Sequence, residues 1–284
     1  MNKPLINERK ADSQERDLAP WGQVFLGDCL SICSEWPAAL ADLVYLDPPF
    51  FTRRDHVGTA RSADLNGESL TFADRWQGGL HDYLMWLEQR VRVAVRLLKP
   101  SGAFLLHLDW HAVHYAKVMC DGVFTERGGA FQNELIWHYQ TGGASKERFS
   151  RKHDTILFYS MSQRFYFDGK AVAIPRGKGA MKRARCPTGA RIKLTDTHKN
   201  PDDVLLIPAL NPMARERNGY PTQKPVALLE MLIKALCPAG GAVADLCCGS
   251  GTALVAAENL GRRWTGCDIN PRAVELARRR LSDA

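Results

Sequence analysis

The sequence contains no Cys-x-x-Cys pair, no apolar run near the roughly 18 residues that a membrane-spanning helix needs, and no third glycine where a dinucleotide-binding fingerprint requires one. Each absence closes a class. Eight cysteines without metal-ligand spacing give neither a zinc signature nor a secreted disulfide framework, so no metal is expected and the thiols read as reduced, buried and incidental. Residues 1–20 hold no apolar stretch and a balanced charge, which argues against a signal peptide and predicts a flexible N-terminal arm. With no membrane segment, a cytoplasmic location is expected. Internal repeats and low-complexity tracts are lacking too, and a composition 45% hydrophobic and 24% charged excludes a collagenous or wholly disordered chain.

What is present is charge concentrated in one place. Lysine and arginine number 38 against 31 acidic residues over 284 positions, a formal net charge of +7. Residues 162–217 alone carry 12 basic and 5 acidic side chains, so this stretch holds the whole excess. Charge by itself fits a solvated loop as well as a polyanion-binding surface.

On either side of that stretch, short apolar runs alternate with longer amphipathic patterns. QVFLGD (Gln23 to Asp28) and DLVYLD (Asp42 to Asp47) read as strands, Leu80 to Leu98 as a long helix stopped by Lys99-Pro-Ser-Gly102, and AFLLHLD as a further buried strand. A short helix from about His111 and the strands NELIWHY and DTILFYS follow. After Pro225 come a helix, the strand AVADLCC, a helix from about Thr252, the strand RWTGCD and a last helix from Pro271. This alternation predicts an α/β fold with a doubly wound, mostly parallel sheet. Within 162–217 the rhythm is lost, and Phe165, Tyr166 and Phe167 at its start read as core strand.

Two motifs at strand ends carry chemistry. Asp245-Leu-Cys-Cys-Gly-Ser-Gly-Thr252 is a glycine turn between an apolar strand and a helix, where backbone can approach a ligand closely. Asp268 closes the next strand, where an acid can accept both hydroxyls of a ribose. Together they suggest a nucleoside cofactor. Asp47-Pro48-Pro49-Phe50 closes DLVYL: two prolines stiffen the backbone and remove two amide donors, leaving a carboxylate, carbonyls free to accept, and an aromatic face. That set suits a planar heterocycle bearing an exocyclic amine. In isolation the same four residues would more readily be read as a proline-stiffened turn capped by Asp47, with Phe50 in the core.

With Tyr220-Pro-Thr-Gln-Lys-Pro225 before the second block, the chain resembles the S-adenosylmethionine-dependent amino-methyltransferases of DNA, in the beta-class order that sets D-P-P-[YF] ahead of the cofactor glycine loop. Four signatures occur in the family's order (GDCL at Gly27 to Leu30, DPPF, PTQKP and DLCCGSGTA), covering nearly all of the chain beyond the arm. NELIWHYQTGG and RFSRKHDTILFY also resemble the family's middle region. Two departures, Cys247-Cys248 before the glycine turn and Phe50 in place of the commoner tyrosine, touch details and not the class.

The resemblance implies a Rossmann-like methyltransferase fold with a small inserted target-recognition region. It divides the chain into a catalytic half over 21–161, a basic recognition insert over 162–217, and an S-adenosylmethionine-binding half over 218–284. It assigns catalysis to Asp47, Pro48, Pro49 and Phe50, and cofactor contacts to Asp245, Gly249, Ser250, Gly251, Thr252 and, for the ribose, Asp268. Asp28 would meet the cofactor's adenine amino group, although it reads nearly as well as the N-cap of the helix beginning at Leu30. Thr222, Gln223 and Lys224 would close the pocket near the cofactor's carboxylate. Double-stranded DNA is the implied partner, held through Arg176, Lys178, Lys182, Arg183, Arg185, Arg191 and Lys193 of the insert. A homodimer and a companion restriction endonuclease stay open.

The implied reaction is methylation of a flipped base at its amine, adenine N6 in preference to cytosine N4, because Asp rather than Ser opens the DPPF motif. C5-cytosine methylation is excluded by the missing Pro-Cys-Gln; the sequence has only the reversed Cys186-Pro187 and Cys237-Pro238. An NAD-dependent oxidoreductase would share the glycine turn but has no use for DPPF or a basic insert. A non-catalytic DNA-binding protein is disfavoured by two intact signatures.

Overall fold

A computed structural model describes residues 20–57, 71–140, 144–177, 197–211 and 213–283. The N-terminal arm lies outside the described residues, apart from Pro20.

Eight strands form one sheet: β1 (Gln23–Leu26), β2 (Ala41–Leu46), β5 (Leu98–Leu108), β6 (Ala130–His138), β7 (His153–Ser160), β10 (Val204–Leu206), β11 (Ala242–Asp245) and β12 (Arg263–Asp268), in the spatial order β1-β12-β11-β2-β5-β7-β6-β10. Every pairing is parallel except the two made by β7, so seven strands run one way and β7 alone runs back. The small pairs β3 (Asp55–Val57) with β4 (Thr71–Ala73), and β8 (Ile174–Pro175) with β9 (His198–Lys199), lie outside it. The helices among the described residues are α1 (Cys29–Ser34), α2 (Gly79–Leu97), α3 (Val113–Thr125), α4 (Val226–Leu236), α5 (Thr252–Asn259) and α6 (Pro271–Ser282). The expected doubly wound, mostly parallel sheet is what the chain forms.

The central strands are apolar nearly throughout, Asp42 and Asp245 excepted, because helices cover both faces. All six residues of β2 and all four of β11 are buried. One core cluster joins Val44 and Leu46 of β2 to Leu87 and Val91 of α2, and the other joins Leu43 and Val243 to Leu228 and Leu232 of α4. Helix α2 buries Tyr83, Leu87, Arg90, Val91, Ala94 and Val95, the stripe expected of a 3.6-residue period.

Three expectations need adjustment. Lys99-Pro-Ser-Gly102 ends α2 but does so inside β5, which begins at Leu98 and shifts register against β2 between Ala41 and Leu43. The helix expected to be short from His111 is α3, of 13 residues. Residues 165–167 form no strand; Phe165 packs edge-on against Phe158, while Phe167 is exposed. Within 162–217 the chain also contributes β10, a three-residue strand beside β6 at the edge of the main sheet.

Candidate active site

The sheet's topological switch lies between β11 and β2. The chain moves outward from β11 to β12 on one side and from β2 to β5 on the other, so a crevice opens at the carboxyl ends of the two central strands. Asp245 sits opposite Tyr45 in that register. The glycine turn and Asp47-Pro-Pro-Phe50, about 200 positions apart in sequence, therefore emerge side by side. A cavity of about 320 Å3 opens there, and Asp28, Asp47 through Phe50, Thr222 through Lys224, Asp245, Gly249, Ser250, Thr252 and Asp268 all line it. Gly251, the remaining predicted site residue, caps α5 just behind.

The turn is shaped for close approach. Gly249 (φ +50°) and Gly251 (φ +76°) both take left-handed backbone that L side chains rarely adopt. A Cβ on Gly249 would stand 3.0 Å from the Tyr220 ring, and one on Gly251 would stand 2.9 Å from the Ala277 Cβ. Asp268 accepts from Gly249 N at 2.8 Å and from Asn270 N at 2.8 Å, tying the turn to the end of β12. Burial raises the Asp268 carboxyl's pKa against those two hydrogen bonds. Ser250 and Thr252 are held from behind by Arg280 of α6, which donates to the Ser250 carbonyl at 2.6 Å and to Thr252 Oγ1 at 3.2 Å.

Asp245 is fully buried, and desolvation pushes its carboxyl well above the ordinary range despite a hydrogen bond from Cys247 N at 3.2 Å. A carboxylate whose folded pKa is raised contributes stability that is present below its unfolded pKa and is lost as pH rises through the folded value. Asp245→Asn is accordingly expected to stabilise the free protein at pH 7 by on the order of 1 kcal/mol. Thermal melts at pH 7 and pH 3.5 check this: the gain should shrink at the lower pH, and an equal gain at both would show another cause.

Asp28 serves as the N-cap of α1, accepting from Leu30 N at 2.9 Å, and still faces the cavity. Its second oxygen takes Arg90 of α2 at 2.6 Å, and the Arg90 guanidinium stacks 3.8 Å over the Trp86 ring. The N-cap reading of Asp28 holds, and the same side chain lines the cavity. Lys224 lines the cavity as expected and has a partner that the sequence did not reveal: its Nζ donates to both Asp47 oxygens, at 2.8 and 2.6 Å, and lies 4.9 Å from the centre of the Phe50 ring. Gln223 turns back on its own loop, donating to the Glu216 carbonyl and accepting from Asn218 N.

The segment after Asp47 is pinned from below. The carbonyls of Pro48 and Pro49 were both expected to be free, but Pro49 accepts from Tyr83 Oη at 2.8 Å. Phe51 (φ +63°) and Arg53 (φ +59°) occupy left-handed backbone, each at a cost of order 1–3 kcal/mol. Buried Asp74 holds them, accepting from Phe51 N, Thr52 N, Thr52 Oγ1 and Trp76 Nε1 at 2.6–3.1 Å.

A polar chain lies beneath Phe50. Tyr45 Oη meets His107 Nδ1 at 2.8 Å, His107 Nε2 meets Asp154 Oδ2 at 3.3 Å, and Tyr139 Oη donates to Asp154 Oδ1 at 3.1 Å. Phe50 stacks on the His107 ring at 5.8 Å between centroids. Burial opposes ionisation of Asp154, but His107 and Lys224 outweigh it and hold that carboxyl below its usual range. Arg90, Asp74, Arg280 and this chain escaped sequence reading; the one available signal was a histidine and an aspartate inside otherwise apolar strands.

The three cysteines that line the cavity, Cys29, Cys247 and Cys248, are unsuited to nucleophilic attack. Burial pushes Cys29 up to about 12 and Cys247 and Cys248 well above their ordinary range. Cys186 lies outside the described residues, as do Lys178, Lys182, Arg183, Arg185, Arg191 and Lys193 of the insert. Arg176 is described, its backbone N donating to the Thr197 carbonyl beside the β8–β9 pair.

Comparison with known proteins gives the chain a family. The DNA methylase family model for N6 and N4 amino-methylation matches residues 41–279. Among curated proteins, the chain is 26% identical over 271 residues to the type II methyltransferase M.ScaI of Streptomyces caespitosus, covering 91% of this chain and 80% of that protein. It is 25% identical over 270 residues to the DNA adenine methyltransferase YhdJ of Escherichia coli, covering 91% and 82%. Among solved structures, the cytosine-N4-specific PvuII DNA methyltransferase superposes with a TM-score of 0.64 at 18% identity, covering 93% of this chain and 91% of the other. The protein TTHA0409 of Thermus thermophilus, complexed with S-adenosyl-L-methionine, gives 0.57 at 21%, covering 92% and 93%. The chain belongs to the N6/N4 DNA methylase family.

Proposed function

We propose that this protein methylates the exocyclic N6 amine of adenine in double-stranded DNA, using S-adenosylmethionine. The observation that carries this reading is the juxtaposition at one switch point of a glycine turn with Asp268 and an Asp-Pro-Pro-Phe motif. The pocket suits the cofactor: Gly249 lines it without a side chain, where a Cβ would stand 3.0 Å from the Tyr220 ring, and the Asp268 carboxylate faces the same space, where ribose hydroxyls could reach it. When bound, S-adenosylmethionine supplies an electrophilic methyl group on a sulfonium. Asp245, Gly249, Ser250, Gly251 and Thr252 would hold its methionine end, with Asp28 at its adenine and Thr222 and Gln223 closing the opening.

The protein's own residues do the rest. An aryl amine is a weak nucleophile because its lone pair is delocalised into the ring. Hydrogen bonds from the amine to Asp47 and to the Pro48 carbonyl favour a pyramidal nitrogen, and Phe50 offers its face to the base. Both Asp47 oxygens contact Lys224, so an incoming amine must share the carboxylate with that ammonium or displace it. The base has to leave the duplex first, at a cost of roughly a few kcal/mol.

Adenine is preferred to cytosine because Asp47, not serine, opens the motif, and a curated relative is described as a DNA adenine methyltransferase. The cytosine-N4 specificity of a structural neighbour keeps the alternative concrete. Sequencing DNA from a methylation-free host that expresses this chain tests the choice: modified adenine in one short motif is expected, and modified cytosine alone would overturn it. The type II methyltransferases among the relatives favour a companion endonuclease.

The basic insert over 162–217 is read as the DNA-holding segment. Neutralising Lys178, Lys182, Arg183 and Arg185 together should weaken DNA binding and lower the slope of log K against log salt by up to about 0.9 for each phosphate that the variant no longer neutralises. Fluorescence anisotropy at several salt concentrations measures it; an unchanged slope would place the DNA elsewhere.

A further inference from the structure

Beyond Tyr139, the loop between β6 and β7 has no part in the site described so far. Because β6 runs parallel to β2 and β5, this loop leaves the sheet on the same edge as Asp47. Phe149 stands in it 99% exposed, the most exposed of the large apolar side chains among the described residues. Its neighbours are Lys146, Glu147, Arg148, Arg151 and Lys152, four cations and one anion.

The described residues 144–152 of this loop are built, not loose. Ser145 N donates to Ser150 Oγ at 3.0 Å, and Glu147 N and Arg148 N donate to Ser145 Oγ at 3.3 Å, which closes the segment behind Phe149. At its far end, the Arg151 guanidinium stacks 3.5 Å over the ring of Trp110, just beyond β5. Lys152 O accepts from Tyr139 N at 2.9 Å, and Tyr139 reaches Asp154, which bonds to His107 beneath Phe50. The loop is thus braced on the strand next to the one that carries Asp47.

An organised loop that holds an aromatic ring in water amid cations matches a duplex with one base removed. Cations meet phosphates, and an apolar side chain wedged between base steps fills the space that an extruded base leaves. We propose that Phe149 is a DNA-intercalating wedge that occupies the stack beside the flipped target base, with Lys146, Arg148 and Lys152 on the flanking phosphates. This rests on the base-methylation reading, and it assigns DNA contact to a loop outside the 162–217 insert.

The wedge lowers the cost of extrusion, so its loss should matter only when extrusion is costly. Single-turnover methylation is measured for wild type, Phe149→Ala and Phe149→Trp on two duplexes carrying the sequenced motif, one fully paired and one with the target base mispaired. Phe149→Ala should lose roughly tenfold or more on the paired duplex and much less on the mispaired one, where unstacking is already cheap. Phe149→Trp should stay near wild type, and the affinity of all three for S-adenosylhomocysteine should be equal. An alanine variant within about twofold of wild type on the paired duplex, or an equal loss on both duplexes, would overturn the wedge. A wild-type protein that methylates neither duplex would instead overturn the base-methylation reading.

Discussion

Asp47→Ala should lower the single-turnover rate of methyl transfer by ~10³-fold, since removing one preorganised group that stabilises developing charge typically costs 10²–10³. Cofactor affinity should hardly change, because the glycine turn and Asp268 belong to β11 and β12, not to the loop after β2. Alanine also leaves the Lys224 ammonium, 7% exposed, without its two carboxylate contacts, so stability should fall by about 1–3 kcal/mol. Asp47→Asn separates the two effects. It keeps the shape and one carbonyl oxygen, so most stability should return while the rate stays low. Rapid-quench kinetics, thermal melts and cofactor titration of the three proteins together check the division.

Gly251→Ala is the second large effect, and it acts through the backbone. The position caps α5 at φ +76°, and the new Cβ would stand 2.9 Å from the Ala277 Cβ, which has no rotamer to yield. Left-handed backbone for alanine and overpacking against α6 should together cost about 2–4 kcal/mol. Ser250 and Thr252, which flank the turn and are held by Arg280, would move with it. Urea denaturation should show the lower midpoint, and calorimetric titration with S-adenosylhomocysteine should show affinity reduced at least tenfold, about 1.4 kcal/mol. Unchanged cofactor affinity would place the methionine end of the cofactor elsewhere.

The buried parallel strands were legible because strands covered on both faces are apolar nearly throughout, as β2 is apart from Asp42 and β11 apart from Asp245. The site motifs were legible for a related reason: glycine and proline change what the backbone can do at a strand end, whatever packs around them. Side chains that act through their neighbours were not. Arg90 looks like one more charge on an amphipathic helix until α2 packs beside Asp28, and Asp74 looks like a loop residue until it gathers four donors below Phe51. His107 and Asp154 sit on neighbouring strands whose antiparallel pairing no local pattern specifies. The place of β10 was hidden because three residues are too few to display a period. Lys224 was identified as a pocket residue, yet its partner 177 positions away became visible only with the fold.

The most direct test of the mechanism is to supply S-adenosylmethionine with an isotopically heavy methyl group, methylate unmodified DNA, and digest it to nucleosides for mass spectrometry. Heavy N6-methyldeoxyadenosine from wild type, and none above background from Asp47→Ala, is the predicted result. Label on C5 of cytosine, or undiminished label from the Asp47 variant, would contradict it.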